Sequence, residues 1–153
     1  MRRISAALIL LGILIGATTT AEARPWQRWR GSGGWGPGSR YHRLYNVDTV
    51  RTVVGVVVSV DRVWGGPGMS AGIRLILRTG DRRTVRILLG PEWYITRLDT
   101  PLRRGDSVEI RGSLVSLDGD DVILAAIVRK GNLSLVLRDE NGFPLWAGWR
   151  GRM

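Results

Sequence analysis

Arg74, Arg78 and Arg86 fall at even spacing within two runs of alternating residues, and they are the side chains here best suited to act on a ligand. Side chains two apart on an extended strand share a face. Arg74 and Arg78 therefore project with Ile76, and Arg86 projects with Thr84 and Leu88. A guanidinium presents five donors in a planar fork that meets phosphate, sulfate or carboxylate through paired hydrogen bonds. Arg82 and Arg83 carry the same charge onto the turn between the two runs. The chemistry on offer is capture of an oxyanion; the plainer reading is a strand whose solvated side carries charge.

The residue types that catalysis needs are scarce. Cysteine is absent, His42 is the single histidine, and no Ser/His/Asp, metal-ligand or phosphate-loop pattern is present. Asp106 and Glu109 can be posed as acid and base, yet Asp106 sits in a turn and Glu109 on the outward side of a strand. Asp118, Asp120 and Asp121 lack the spacing and terminal glutamate of a calcium loop and read as turn residues. A non-catalytic binding protein with no cofactor and no metal is expected.

Charge points the same way without naming a partner. The formal net charge is +10, and Lys130 is the only lysine among 23 basic residues. Such a charge speeds encounter with nucleic acid, acidic glycan, lipid head groups or acidic protein. Wholesale arginine use in a G+C-rich genome gives the same composition.

The elements that must position these arginines begin after a leader. Met1-Arg2-Arg3 precedes an apolar run from Ile4 to Ala17, and Ala21-Glu22-Ala23 is a small-residue cleavage pattern. The run has 14 residues, short of the roughly 18 that a spanning helix needs. Export with cleavage after Ala23 is expected, to a periplasm or to the outside, leaving a mature chain without a transmembrane helix. Loss of Arg2, Arg3 and Glu22 lowers the net charge from +10 to about +9. Residues 24–46, rich in Arg, Gly and Trp without periodicity, predict a flexible arm. Its tryptophans either dock on the domain that follows or meet a membrane surface or nucleobases.

Val50 to Val63 is the organising strand. Its β-branched residues suit a pleated surface, and at about 3.3 Å per residue it is roughly twice the usual length, so it is expected to bend, at Gly55. Val54, Val56, Val58 and Val60 are the predicted core face. Trp64 to Ser70 is a glycine- and proline-rich loop that includes Met69. Residues 71–89 form a hairpin with Ile73, Leu75, Leu77, Val85, Ile87 and Leu89 inward. Pro91 followed by Glu92 starts a short helix running to about Leu98, whose Trp93, Tyr94, Ile95 and Leu98 plug one end. Ser107 to Leu117 is a strand with a bulge at Gly112-Ser113. Asp118-Gly119 is a tight turn, and Val122 to Val128, apolar on both faces, is a strand covered on both sides. Leu133 to Trp146 is an added hairpin, with Trp146 and Trp149 packing it down.

This order of long bent strand, hairpin, short helix and hairpin resembles an oligonucleotide/oligosaccharide-binding (OB) fold. The residues that carry the resemblance are Val54-Gly55-Val56 in the first strand and Leu102-Arg103-Arg104-Gly105-Asp106-Ser107-Val108-Glu109-Ile110-Arg111-Gly112 entering the fourth. The match spans about Val50 to Arg129. With its leader, the chain looks like small exported bacterial OB-fold proteins associated with envelope stress tolerance, and more loosely like chains called DNA-binding. The resemblance implies a mainly β protein: a five-stranded Greek-key barrel over residues 47–130 with one short helix between strands 3 and 4, while the C-terminal hairpin and tail read at 131–153 fall outside that core. OB domains bind on the face of strands 2 and 3. That face would hold Arg74, Arg78 and Arg86, with Arg82 and Arg83 at its tip, Trp64 and Met69 from one flanking loop and Asp118 to Asp121 from the other. Ile76, Thr84 and Leu88 occupy places where a single-strand binder often carries stacking aromatics. The implied partner is an anionic ligand, nucleic acid or acidic glycan or lipid. The alternative is an envelope interaction module working through the arm and the C-terminal hairpin.

Overall fold

The computed structural model describes residues 32–147; the expected leader, Trp26, Trp29 and Trp149 lie outside the described residues. Strand β1 (Val50–Val63) is continuous over 14 residues. Its first half pairs antiparallel with β4 (Ser107–Leu117), from Val50 opposite Ser113 to Val56 opposite Ser107. Its second half pairs with β2 (Gly72–Thr79), from Gly55 opposite Thr79 to Val63 opposite Gly72. One strand thus serves two neighbours, and the changeover is at Gly55, where a Cβ would run into the Arg78 carbonyl oxygen.

Strand β2 continues antiparallel into β3 (Thr84–Pro91), and β4 into β5 (Asp120–Lys130). Arg86–Leu88 of β3 lie parallel to Val122–Leu124 of β5, which closes β1, β2, β3, β5 and β4 into a ring. The chain is mainly β, as expected. The short strand β6 (Leu133–Val136) extends the sheet beside β5. The expected terminal hairpin is corrected in part: β6 pairs with β5, and the expected turn at 139–142 brings the chain back only beyond β6, where the Leu145 and Asp139 N–H groups donate to the Leu137 and Phe143 carbonyls around the bridge from Arg138 to Pro144. Gly131 at positive φ turns the chain back onto β5, so the earlier strand takes the available edge.

The predicted inner face of β1 is also corrected. Val57 is buried, while Val54 and Val56 are 62% and 44% exposed. In the first half of the strand the odd positions therefore face inward. A bulge between Val57 and Ser59 inserts one residue into the pairing and reverses the alternation. Beyond it Val60 lies opposite inward Leu75, and Ser59 and Asp61 face out. An unbroken run of valines carries no sign of an extra residue.

The predicted helix from Pro91 shrinks to α2 (Glu92–Ile95), with Pro91 ending β3 and standing at the N-cap. The Thr96 hydroxyl donates back to the Glu92 carbonyl (2.8 Å), and the chain leaves in turns. Ile95, Leu98 and Leu102, with Val60, Ile73 and Leu89, border a cavity of about 260 Å³ at this end of the ring. The plug forms with less helix than expected.

The expected flexible arm is packed from Ser32 onward. Ser39 caps α1 (Arg40–Leu44) by accepting from the His42 N–H. Trp35, buried and stacked on Tyr41 at 4.5 Å, donates to the Ser70 carbonyl (3.0 Å), and the Tyr41 hydroxyl donates to the Gly65 carbonyl (2.7 Å). The Asn46 N–H donates to the buried Ser113 hydroxyl on the outside of β4 (3.0 Å). Two large aromatic side chains supply the apolar area that offsets the entropy of ordering a glycine-rich segment. Trp146 is buried as well and donates to the Trp35 carbonyl (2.8 Å). The two terminal segments thus meet over the ring, and β5 from Val122 to Ala126 is buried on both faces.

Candidate functional site

Alternation along β2 and β3 places the arginines. Ile73, Leu75, Leu77, Ile87 and Leu89 are buried inside the ring, so Arg74, Arg78 and Arg86 project outward from adjacent strands. The register sets Arg78 opposite Thr84, Ile76 opposite Arg86 and Arg74 opposite Leu88. On the other side of β2, Val56 lies opposite Arg78 and Asp61 opposite Arg74. The three guanidinium groups predicted to share a surface do share one.

Their charges are unequally available. Arg74 pairs with Asp61 at 3.3 Å, and Arg86 pairs with Asp120 at 2.8 Å. Among the described residues, Arg78 has no carboxylate within 4 Å. All these groups are partly exposed, and an exposed ion pair is worth about 0–1 kcal/mol, so Asp61 and Asp120 moderate the face and do not block it. The aspartates expected as a rim act instead as internal counter-ions: Asp120 binds Arg86, and Asp118 binds Arg40 of α1.

The remaining predicted residues lie elsewhere. At the β2–β3 tip the Thr79 hydroxyl and then Arg83 hydrogen-bond to Asp81, holding its carboxyl down at about 2. Arg82 stands at φ 66° in the same turn, with no carboxylate within 4 Å among the described residues. Trp64 (74% exposed) and Met69 border a separate cleft of about 470 Å³ beside Trp93, where Arg62 Nε donates to Glu92 Oε2 at 2.7 Å. That cleft lies beyond the Gly72 end of β2, roughly 20 Å along the strand from Arg78. The seven predicted residues therefore fall into three groups, of which Arg74, Arg78 and Arg86 form the basic face.

Sequence alternation missed two arginines. Arg51 shares the inward parity of Val53 and stands at the mouth of the ring. Arg138, within the segment read as a terminal hairpin, is only 2% exposed. Leu137 and Arg138 both donate their N–H groups to the Ala126 carbonyl, an irregularity that turns the arginine inward. Its Nη1 donates to the Leu89 carbonyl (3.2 Å) and to the Ala125 carbonyl, and its guanidinium lies 4.9 Å from the centroid of Trp146. It bridges β3 and β5 near their parallel contact. Burial lowers its pKa to about 10, a shift that Tyr45 opposes.

Among the described residues no three of His, Cys, Asp and Glu lie together as a metal site would require, and no helix is long and apolar enough to cross a membrane. Residues 49–135 match the MamS/MamX magnetosome protein family. No curated protein matches the chain in sequence. Among solved structures, the second single-stranded-DNA-binding protein of Mycobacterium smegmatis is similar at 21% identity and TM-score 0.43, over 54% of this chain and 88% of that one. The N-terminal domain of the PriB protein from Thermoanaerobacter tencongensis is similar at 19% identity and TM-score 0.44, over 56% and 99%.

Proposed function

We propose that this chain, which belongs to the MamS/MamX magnetosome protein family, is an exported, non-catalytic OB-fold module that holds a polyanion on the outer face of β2 and β3. The observation that carries this reading is the placement of Arg74, Arg78 and Arg86 on one outward surface, with Arg78 free of any carboxylate among the described residues. The five-strand ring, with its short helix between the third and fourth strands, supports the OB assignment. Apolar Val56 and Ile76 beside the arginines suit a ligand that is not uniformly charged, and single-stranded nucleic acid, with flat bases on an anionic backbone, is the polyanion chosen.

Fluorescence anisotropy of a labelled single-stranded oligonucleotide tests it. Arg78→Glu should weaken binding at least tenfold with the circular dichroism spectrum unchanged. It should also flatten the log–log salt dependence by about 0.7. Unaltered affinity contradicts the reading, and tighter competition by an acidic polysaccharide would transfer the face to glycan. Export is tested separately, by finding Arg24 as the first residue of the chain outside the cytoplasm.

One observation favours the alternative of an envelope interaction module: Leu133, Val136, Phe143 and Leu145 of the C-terminal segment are each more than two-fifths exposed. Against it, Trp35, Tyr41 and Trp146 pack inward. Pull-down from an envelope fraction by the unaltered chain and by a variant with Phe143→Ser and Leu145→Ser separates the two; unchanged partners would remove the alternative.

A further inference from the structure

The two ends of the ring are finished differently. At the α2 end Ile95, Leu98 and Leu102 pack over buried Ile73 and Leu89 and leave a smaller cavity of about 260 Å³. At the other end β1 parts from β2 before Gly55, and a cavity of about 520 Å³ opens among β1, the β2–β3 tip, β4 and β5. That is within the size range of small-molecule sites. Its apolar lining comes from Val53, Val85, Leu114 and Ile123, of which the first three remain only half-buried. Partly wetted apolar side chains in a concave opening are uncommon in a small ring, whose interior its own side chains normally fill.

The rim adds a selective charge. Arg51 is two residues from Val53 on the same face of β1 and borders this opening. It has no carboxylate within 4 Å among the described residues. Arg83, also on the rim, is already paired with Asp81. Asp121 borders the opening from β5, so a second negative charge on a ligand would find no unpaired cation on the rim beyond Arg51 among the described residues. We propose that the open end of the ring binds a single-chain amphiphile with a monoanionic head, its carboxylate on Arg51 and its hydrocarbon against Val53, Val85, Leu114 and Ile123. This opening adjoins the basic outer face at Thr84, the residue opposite Arg78, but its inward apolar lining is distinct from that face and does not depend on it.

Calorimetric titration of the full chain with octanoate, decanoate and dodecanoate should show affinity rising about fourfold per added methylene, as for hydrocarbon leaving water. Methyl NMR shifts should concentrate at Val53, Val85, Leu114 and Ile123. Dodecyltrimethylammonium, with the same tail and a cationic head, should bind at least tenfold more weakly. Arg51→Gln should weaken dodecanoate about tenfold and leave oligonucleotide affinity unchanged, while Arg78→Glu should do the reverse. Affinity independent of chain length, equal affinity for the two heads, or shifts on the outer face of β2 and β3 would overturn the proposal. Displacement of dodecanoate by the oligonucleotide would overturn it too.

Discussion

Among the described residues Arg78 differs from its neighbours in having no counter-ion, and that difference can be manipulated. Asp61 and Asp120 each hold one of the flanking arginines. Replacing both by asparagine should tighten oligonucleotide binding, by up to about fivefold for each pair released, read by anisotropy at low salt; weaker binding would mean that the pairs orient the arginines for the ligand. Asp81 gives a pH-dependent counterpart. Its folded pKa is depressed from 3.8 to about 2, so the stability it adds is present above its unfolded value and disappears as pH falls through about 2. Carboxyl NMR should place its titration near 2, and Thr79→Val should raise that midpoint, because the Thr79 hydroxyl is the largest influence holding it down. Arg138 is a structural residue. Arg138→Ala should orphan the Leu89 and Ala125 carbonyls and cost about 2–4 kcal/mol in urea denaturation, with an unchanged m-value. Strand alternation made Arg74, Arg78 and Arg86 legible because the residues between them on β2 and β3 are plainly core. Arg138 was not legible, because its inward turn comes from a backbone irregularity that no side chain announces.

Among the elements, β1 shows most clearly what a one-dimensional pattern omits. Its length and Gly55 disclosed a strand shared by two partners, since a glycine in a strand signals close backbone approach. The bulge after Val57 stayed hidden, since valine fits either face, and the inner and outer sides of the first half were exchanged. The segment before β1 shows a different omission. Its composition reads as flexible, yet Trp35 and Tyr41 find receptors in the Gly65–Ser70 loop and, through Trp146, in the C-terminal segment. Those partners are distant in sequence, so local composition could not reveal them. Trp35→Ala should cost about 3–5 kcal/mol and expose Trp146, seen as a red shift in its fluorescence. A loss under about 1 kcal/mol would mean that the segment rests on the ring without supporting it.

For the whole molecule, the closed five-strand ring brings three arginines from two strands onto one outward surface and leaves one end of its interior open. The order of strands and the short helix were readable from alternation and turn residues. Family membership was not, because the residues that suggested a fold, from Leu102 to Gly112, describe how a chain turns into a strand and say little about lineage. The central claim is that the outer face of β2 and β3 captures a polyanion, and the most direct test is the salt dependence of oligonucleotide binding by the unaltered chain and by Arg78→Glu. Binding by the first should fall steeply with salt, and binding by the second should be weaker with a slope shallower by about 0.7. Identical slopes and affinities in the two proteins would contradict it.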